Sequence, residues 1–350
     1  MYTVMSMATN YLIITFDGIG DGIIYYPIFQ EVGRRVPQSN FFYTTNLLLQ
    51  DDNVINKIKL PSNFYTADDS FRTFRKKQWG AIYNFLIKNE IKVIINLRFI
   101  GRRFEKNYFD FKEWVSLKNN DIIFFDDESL RDSERVNLNV RDIIRFISEK
   151  ALKIKLNPNM HTFRDVLKRN KQSKSIFINV HSRGTFKLWE ISKWASLISN
   201  LALLYKDIEI YNGFNYSEKR YTEDILKNLD PSIRDTVKII GPFNLDRFTE
   251  VLGDTGLLIS VDSGLVHLAD SIGTDSLGLY IMTSPEMWGG VTDKFHYVRS
   301  EHMSKCRNFY PYFGMCMHNK IKCVSVIDGK DDISVPDVLN KVKQIFYEKN

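Results

Sequence analysis

Short apolar runs alternate along the chain with longer stretches whose apolar positions recur at helical spacing. The runs are Tyr11–Phe16, Ile91–Leu97, Ile122–Phe125, Ser175–Val180, Ile208–Tyr211, Val237–Ile240, Leu257–Val261 and Leu277–Ile281. Runs this short, apolar on both faces and bounded by polar breaks, predict parallel strands buried between layers of helix. The amphipathic stretches Phe74–Lys88, Val140–Leu152, Ile191–Tyr205, Glu218–Leu229 and Asp246–Leu252 predict helices. Such alternation predicts βαβ units and doubly wound sheets. Asp51–Arg75 and Arg98–Trp114 are rich in charge and aromatic rings without a clear period, and read as loops.

A chain of 350 residues exceeds the roughly 250–300 at which a single core stops growing. Between Lys153 and Ser175 the composition shifts, through Asn157-Pro158-Asn159 and the polar Lys168–Lys174 segment, and the boundary is drawn there. The expected domains are residues 1–165 and 166–334, followed by residues 335–350, where the amphipathic Val335–Tyr347 forms a C-terminal helix crossing back toward the first domain. Each half opens with a strand that runs into a glycine-bearing turn. Ligands are therefore expected at the carboxyl ends of the strands, in the cleft between the halves.

Composition narrows the class. With 44% hydrophobic, 13% aromatic and 26% charged residues, the chain is not disordered, collagenous or coiled-coil. Three cysteines build no disulfide framework, and an odd number suits a reducing compartment. No apolar stretch is long enough for a bilayer span, and the segment before Tyr11 lacks the basic flank and apolar centre of a signal peptide. The expectation is a soluble cytoplasmic protein. A net charge of +6 permits an acidic ligand or peripheral contact with an anionic membrane. No groove-like basic and aromatic pattern or recognition helix points to nucleic acid.

Four segments carry candidate chemistry. The first is the turn after the first strand, Phe16-Asp17-Gly18-Ile19-Gly20-Asp21-Gly22. Its alternate glycines let the backbone bend and let a ligand approach the next helix. The Gly-x-Gly-x-x-Gly dinucleotide spacing is not met, and a carboxylate at that helix start repels phosphate. Asp21 is cast as a base or hydroxyl binder, beside its ordinary reading as a helix-capping acid. The second is Val261-Asp262-Ser263-Gly264-Leu265-Val266-His267. There a strand end feeds a helix N-terminus suited to an anion, with His267 one turn in; an Asp-Ser-Gly cap with a core-facing histidine is the alternative. Gly-x-Ser-x-Gly does not occur in this segment, so Ser263 is not a hydrolase nucleophile. The third is His181-Ser182-Arg183-Gly184-Thr185-Phe186-Lys187-Leu188-Trp189, whose cations and hydroxyls suit a lid over a diphosphate or a solvated basic loop. The fourth is Tyr211-Asn212-Gly213 followed by Glu218, where a carboxylate suits a ribose diol or simply the helix dipole. Cys306, Cys316 and Cys323, with His302 and His318, match no paired-ligand spacing and read as buried free thiols, a metal site being the alternative.

Together these segments resemble the heptosyltransferases of glycosyltransferase family nine, which build bacterial surface glycans such as lipopolysaccharide. The resemblance runs from about Tyr11 to Cys323. Gly18-Ile19-Gly20-Asp21 followed by Pro27 is similar to the family's opening Gly-Asp turn. Lys187-Leu188-Trp189 with Trp194 is similar to its Lys-x-Trp segment. Asp262-Ser263-Gly264-x-x-His267-Leu268-Ala269, then Gly273-Thr274, is similar to its donor-binding motif, and Thr283 through Trp288-Gly289 to the loop after the next strand. Asp275 stands where the family usually has proline. The stretch Asn46–Asn120 matches least, which leaves the acceptor open.

The resemblance implies a GT-B fold: two Rossmann-like α/β domains with parallel sheets facing across a cleft, acceptor on the first and nucleotide sugar on the second. It implies an inverting, metal-independent glycosyltransferase without cofactor, moving heptose from ADP-heptose onto a glycan or glycolipid hydroxyl. Asp21 is the expected base, with Lys187 on the departing diphosphate. Thr185, Glu218, Asp262, Ser263, Gly264 and His267 are the expected donor contacts. Gly20, Arg98, Arg102 and Arg103 are candidates for the acceptor, since guanidinium forks match acidic groups. Another nucleotide sugar, a protein acceptor (in relatives that carry Cys-bound iron) and a catalytically silent nucleotide-sugar-binding partner are the alternatives.

Overall fold

The computed structural model describes residues 8–16, 18–44, 60–98, 106–126, 138–158, 175–184, 187–205, 207–213, 215–300, 309–310, 315–316 and 333–347. The chain divides into two compact units, Met1–Asn159 and Met160–Asn350.

The first unit is built on a five-stranded sheet of β1 (Asn10–Ile14), β2 (Asn40–Thr44), β3 (Phe64–Ala67), β4 (Ile91–Asn96) and β5 (Ile123–Phe125), in the order β3-β2-β1-β4-β5. Every pairing is parallel, with Leu12 of β1 facing Phe42 on one side and Ile94 on the other. Helices α1 (Ile19–Arg35), α2 (Trp79–Lys88), α3 (Lys106–Lys118) and α4 (Val140–Leu152) accompany it. The core is strongly aromatic: Phe74 meets Tyr108 at 5.1 Å and Phe111 at 5.3 Å between ring centroids.

Two stretches read as loops are partly regular. Residues 64–67 form β3, followed by a 3₁₀ turn at Asp69–Thr73 that Asp68 caps by accepting Ser70 N–H. Residues 106–118 form α3. Its buried positions are Tyr108, Phe109, Phe111 and Val115, so crowded aromatic residues among charges blur the helical period. Helix α2 begins later than the pattern predicts. Phe74 takes a left-handed φ of 46°, a 3₁₀ turn at Lys76–Gln78 intervenes, and Trp79 Nε1 donates back to the Phe74 carbonyl at 2.8 Å.

The second unit holds a six-stranded, all-parallel sheet of β6 (Ile176–Asn179), β7 (Ile208–Tyr211), β8 (Lys238–Ile240), β9 (Leu257–Val261), β10 (Ser276–Tyr280) and β11 (Phe295–Arg299), in the order β11-β10-β9-β6-β7-β8. Its helices are α5 (Ile191–Leu204), α6 (Tyr216–Lys227), α7 (Pro231–Arg234), α8 (Leu245–Asp254), α9 (Gly264–Ile272), α10 (Pro285–Trp288) and α11 (Val335–Tyr347), and a short antiparallel ribbon joins β12 (Phe309–Tyr310) to β13 (Met315–Cys316). This core is mainly aliphatic, centred on Ile176, Ile178, Ile210, Leu257, Ile259, Leu277 and Leu279. Helix α11 packs on α5 within this unit: Val338, Val342 and Ile345 join the same core, and Phe346 lies against Tyr205 at 4.9 Å.

In each sheet the strand order reverses between two neighbours, β1 and β4 in the first and β6 and β9 in the second. Connections leave such a pair to opposite sides, which opens a crevice at the strands' carboxyl ends. No helix among the described residues is long and apolar enough to cross a membrane.

Candidate active site

At the switch point of the second unit, β9 delivers Asp262, which is only 4% exposed. Its backbone still belongs to the sheet, Asp262 N–H donating to the Leu279 carbonyl at 3.2 Å. A carboxylate held so deep requires partners. Lys187 Nζ lies 2.6 Å from Asp262 Oδ2, and Thr283 Oγ1 donates to the same oxygen at 2.6 Å. Ser182 Oγ donates to the Asp262 carbonyl at 2.8 Å. The loop after β6 and the loop after β10 thus converge on one carboxylate.

Helix α9 starts beside it. Ser263 caps it by accepting Leu265 N–H at 3.3 Å, and Gly264 is its first helical residue. Asn179, the last residue of β6, ties the neighbourhood together: its Nδ2 reaches Ser260 Oγ at 2.9 Å, Ser263 Oγ at 3.1 Å and the His181 carbonyl at 3.0 Å. The capped helix start brings the positive end of its dipole to the end of the sheet, where an anion is favoured. His267 is buried one turn into the helix.

A second cluster joins β7 to α6. His181 is buried, with Nε2 2.9 Å from Thr222 Oγ1 and 3.2 Å from the Tyr211 carbonyl. Burial pushes its pKa down, and the nearby Glu218 charge works against that. The same two influences raise Tyr211, burial being the larger. Glu218 stands in the first turn of α6, its N–H capped by Asn215 Oδ1 at 3.0 Å. Gly213, at φ +82°, makes the close approach possible: a Cβ there would stand 2.4 Å from Glu218 Cβ and 3.2 Å from His181 Nε2. Glycine is the residue that accepts both the backbone and the crowding.

In the first unit, Asp21 lies in the first turn of α1 and Gly20 directly before it. Gly18, the N-cap, is extended at φ −74°, and a Cβ on it would fall 2.4 Å from Asp21 Oδ2. The carboxylate is therefore folded back over the glycine. One turn on, Tyr25 is fully buried and its hydroxyl accepts Phe16 N–H at 3.0 Å. Burial, then the Asp21 charge, push the Tyr25 pKa up, while Arg98 and Arg72 oppose them. Arg98 lies 5.7 Å from the Phe16 ring centroid and donates to the Arg72 carbonyl. Asp21, Tyr25, Arg72 and Arg98 thus share the carboxyl end of the first sheet.

Gly18→Ala tests this arrangement. The backbone tolerates alanine, and the lost cap preference costs about 1 kcal/mol, but Asp21 must swing aside. The expected result is a folded protein whose turnover falls toward that of an Asp21 variant; unchanged kinetics would detach Asp21's position from activity.

The structure therefore brings Lys187 to Asp262, with Ser263 and Gly264 beside them, and places Glu218 by His181 on α6. Thr185, Arg102, Arg103, Cys306, Cys323, His302 and His318 lie outside the described residues, and Cys316 falls in β13. Among the described residues no cluster of three or more His, Cys, Asp or Glu suits a metal ion. Sequence reasoning assigned no role to Thr283, Asn179, Thr222, Tyr25 or Arg72. Their common signal is position at or just after a strand end, or one helical turn from an assigned residue.

A family model for glycosyltransferase family 9 (heptosyltransferase) matches residues 146–311, the span that holds Lys187, Glu218, Asp262, Ser263, Gly264 and His267. Among solved structures, the chain is similar to the family 9 glycosyl transferase from Veillonella parvula, with a TM-score of 0.64 and 16% identity over 98% of this chain and 99% of that one. It is similar to the E. coli heptosyltransferase WaaC with ADP, with a TM-score of 0.59 and 13% identity over 96% of this chain and 100% of that one. E. coli ADP-heptose lps heptosyltransferase II gives a TM-score of 0.59 and 13% identity over 97% of this chain and 99% of that one. No curated protein sequence matches the chain. Identities this low speak for the fold, which is GT-B, and the family model speaks for the residues built onto its second sheet: residues 146–311 are similar to glycosyltransferase family 9 (heptosyltransferase), and the protein is a glycosyltransferase.

Proposed function

We propose that the protein moves heptose, with inversion, from ADP-heptose onto a hydroxyl of a bacterial surface glycan or glycolipid of the lipopolysaccharide type, working at the inner membrane surface where such an acceptor sits. The observation that carries the donor side is the Asp262 carboxylate, gripped by Lys187 and Thr283 beside the capped start of α9. ADP in the WaaC structure supports the choice of nucleotide.

Inversion requires one group to take the acceptor's proton and another to receive charge on the leaving group. Asp21 is the base. The departing diphosphate gains negative charge, which Lys187 and the N-terminus of α9 at Ser263–Gly264 stabilise. Lys187 has three N–H donors, so it serves a phosphate oxygen while still holding Asp262. Asp262 is left with oxygen capacity for sugar hydroxyls. Thr185 is assigned to a phosphate oxygen, His267 to the phosphate or ribose, and Glu218 to the ribose diol. Gly20 and Arg98, with Arg102 and Arg103, are assigned to the acceptor.

A thermal-shift series with ADP, UDP, GDP and their sugars tests the reading. A ligand at a hundred times its dissociation constant stabilises by about 2.7 kcal/mol. Stabilisation by ADP or ADP-heptose above the others is the expected result. A UDP or GDP preference replaces the sugar and keeps the chemistry; no response to any nucleotide overturns the donor assignment.

A further inference from the structure

The loop that carries Lys187 is fastened at both ends to a single face of α6. At its start, His181 Nε2 lies 2.9 Å from Thr222 Oγ1. At its end, the Tyr221 hydroxyl donates to the Trp189 carbonyl. The Trp189 side chain is itself anchored, 1% exposed, with Nε1 donating to the Ile333 carbonyl at 3.3 Å and its ring meeting Trp194 edge-on at 5.1 Å. Lys187 sits two residues before this anchor, its ammonium on Asp262.

Glu218, Tyr221 and Thr222 fall at positions i, i+3 and i+4 of α6 and so share one face. One helix face therefore presents a carboxylate to the cluster at β7 and grips the lysine loop through two hydroxyls. A loop with both ends fixed has far fewer conformations to lose when its lysine is ordered on a ligand.

We propose that Tyr221 and Thr222 are positioning residues that couple the nucleoside side of the donor site to its diphosphate side: they hold the Lys187 loop to the helix whose Glu218 meets the ribose. This rests on the donor assignment proposed above. Engagement of Glu218 steadies α6, α6 steadies Trp189 and His181, and Lys187 is delivered to the departing phosphate. Linkage makes the effect reciprocal, so the phosphate contact also strengthens the ribose contact.

The test compares AMP with ADP, or the corresponding pair for whichever base stabilises the protein most, by titration calorimetry on the full chain. The ratio of the two dissociation constants isolates what the second phosphate contributes. In Tyr221→Phe that ratio is expected to shrink about fivefold, the worth of one hydrogen bond, with AMP affinity kept. Combined with Lys187→Ala, Tyr221→Phe is expected to cost nothing further. Trp189→Phe, which keeps a ring and removes the Nε1 donor, is expected to reproduce the loss and serves if Tyr221→Phe folds poorly. An unchanged ratio in both variants, an equal loss for AMP and ADP, or full additivity with Lys187→Ala overturns the coupling while leaving the donor site intact. A wild-type protein that binds no nucleotide of the series removes the donor site and the coupling together.

Discussion

Asp21→Ala is expected to lower kcat by at least about a hundredfold while nucleoside diphosphate binding survives, since a general base contributes roughly 10²–10⁴-fold. The argument starts from placement. Asp21 is the third residue of α1 and its carboxylate is folded over Gly18, which has no side chain to displace it. The stability cost is small, because an acid in a first turn contributes only about 0.3–1 kcal/mol through the helix dipole. Asp21→Asn keeps the shape and removes the basicity, so it is expected to fall with alanine. Steady-state kinetics beside calorimetry with the diphosphate read both halves of the prediction. Normal turnover in Asp21→Asn would move the base elsewhere.

The second large effect comes from the Lys187–Asp262 pair, whose side chains are 22% and 6% exposed. Lys187→Ala leaves the Asp262 carboxylate buried with Thr283 as its side-chain donor. Breaking a buried pair from one side costs about 3–5 kcal/mol, because an uncompensated charge stays behind. The double variant Lys187→Ala/Asp262→Ala is therefore expected to be more stable than the lysine variant alone, with a coupling well above the few tenths of a kcal/mol that separate independent sites. Urea denaturation of the four proteins measures it, and simple additivity would show that the pair is not energetically joined. In turnover, loss of a preorganised donor to a leaving group costs about 10²–10³-fold, so Lys187→Ala is expected to be slow even where it remains folded.

Much of this was legible in the sequence where one physical signal dominated. Strands buried on both faces announce themselves as apolar runs: β9, at Leu257–Val261, has the same bounds in sequence and structure. So do α4 at Val140–Leu152 and α11 at Val335–Tyr347, where the apolar stripe is regular. The edge strands β5 and β8 still show as short apolar runs, but the edge strands β3 and β11 left no such mark. β11 reads Phe-His-Tyr-Val-Arg with every side chain at least partly exposed, and β3 exposes Tyr65 and Thr66. In α3, aromatic residues replaced the aliphatic stripe that a helical period needs.

The site divides the same way. Asp262 and Asp21 stand out because a charge at the end of an apolar strand or the start of a helix needs a reason, and Lys187 through the similarity of Lys187-Leu188-Trp189 to the family's Lys-x-Trp segment. Thr283 and Thr222 do not, because a hydroxyl is cheap to bury once bonded. Only the fold brings Thr283 to Asp262 across 21 residues of chain, or Thr222 to His181 across 41.

The five tryptophans sort cleanly between the halves of the chain. Trp79 and Trp114, 5.4 Å apart, belong to the first unit, whereas Trp189 and Trp194, in near-perpendicular contact under the lysine loop, and Trp288 belong to the second. Intrinsic fluorescence is therefore a built-in two-channel probe. Replacing Trp79 and Trp114 by phenylalanine leaves an emission that reports on the second unit, and replacing the other three leaves one that reports on the first. A change in either unit becomes observable in the same chain without a label.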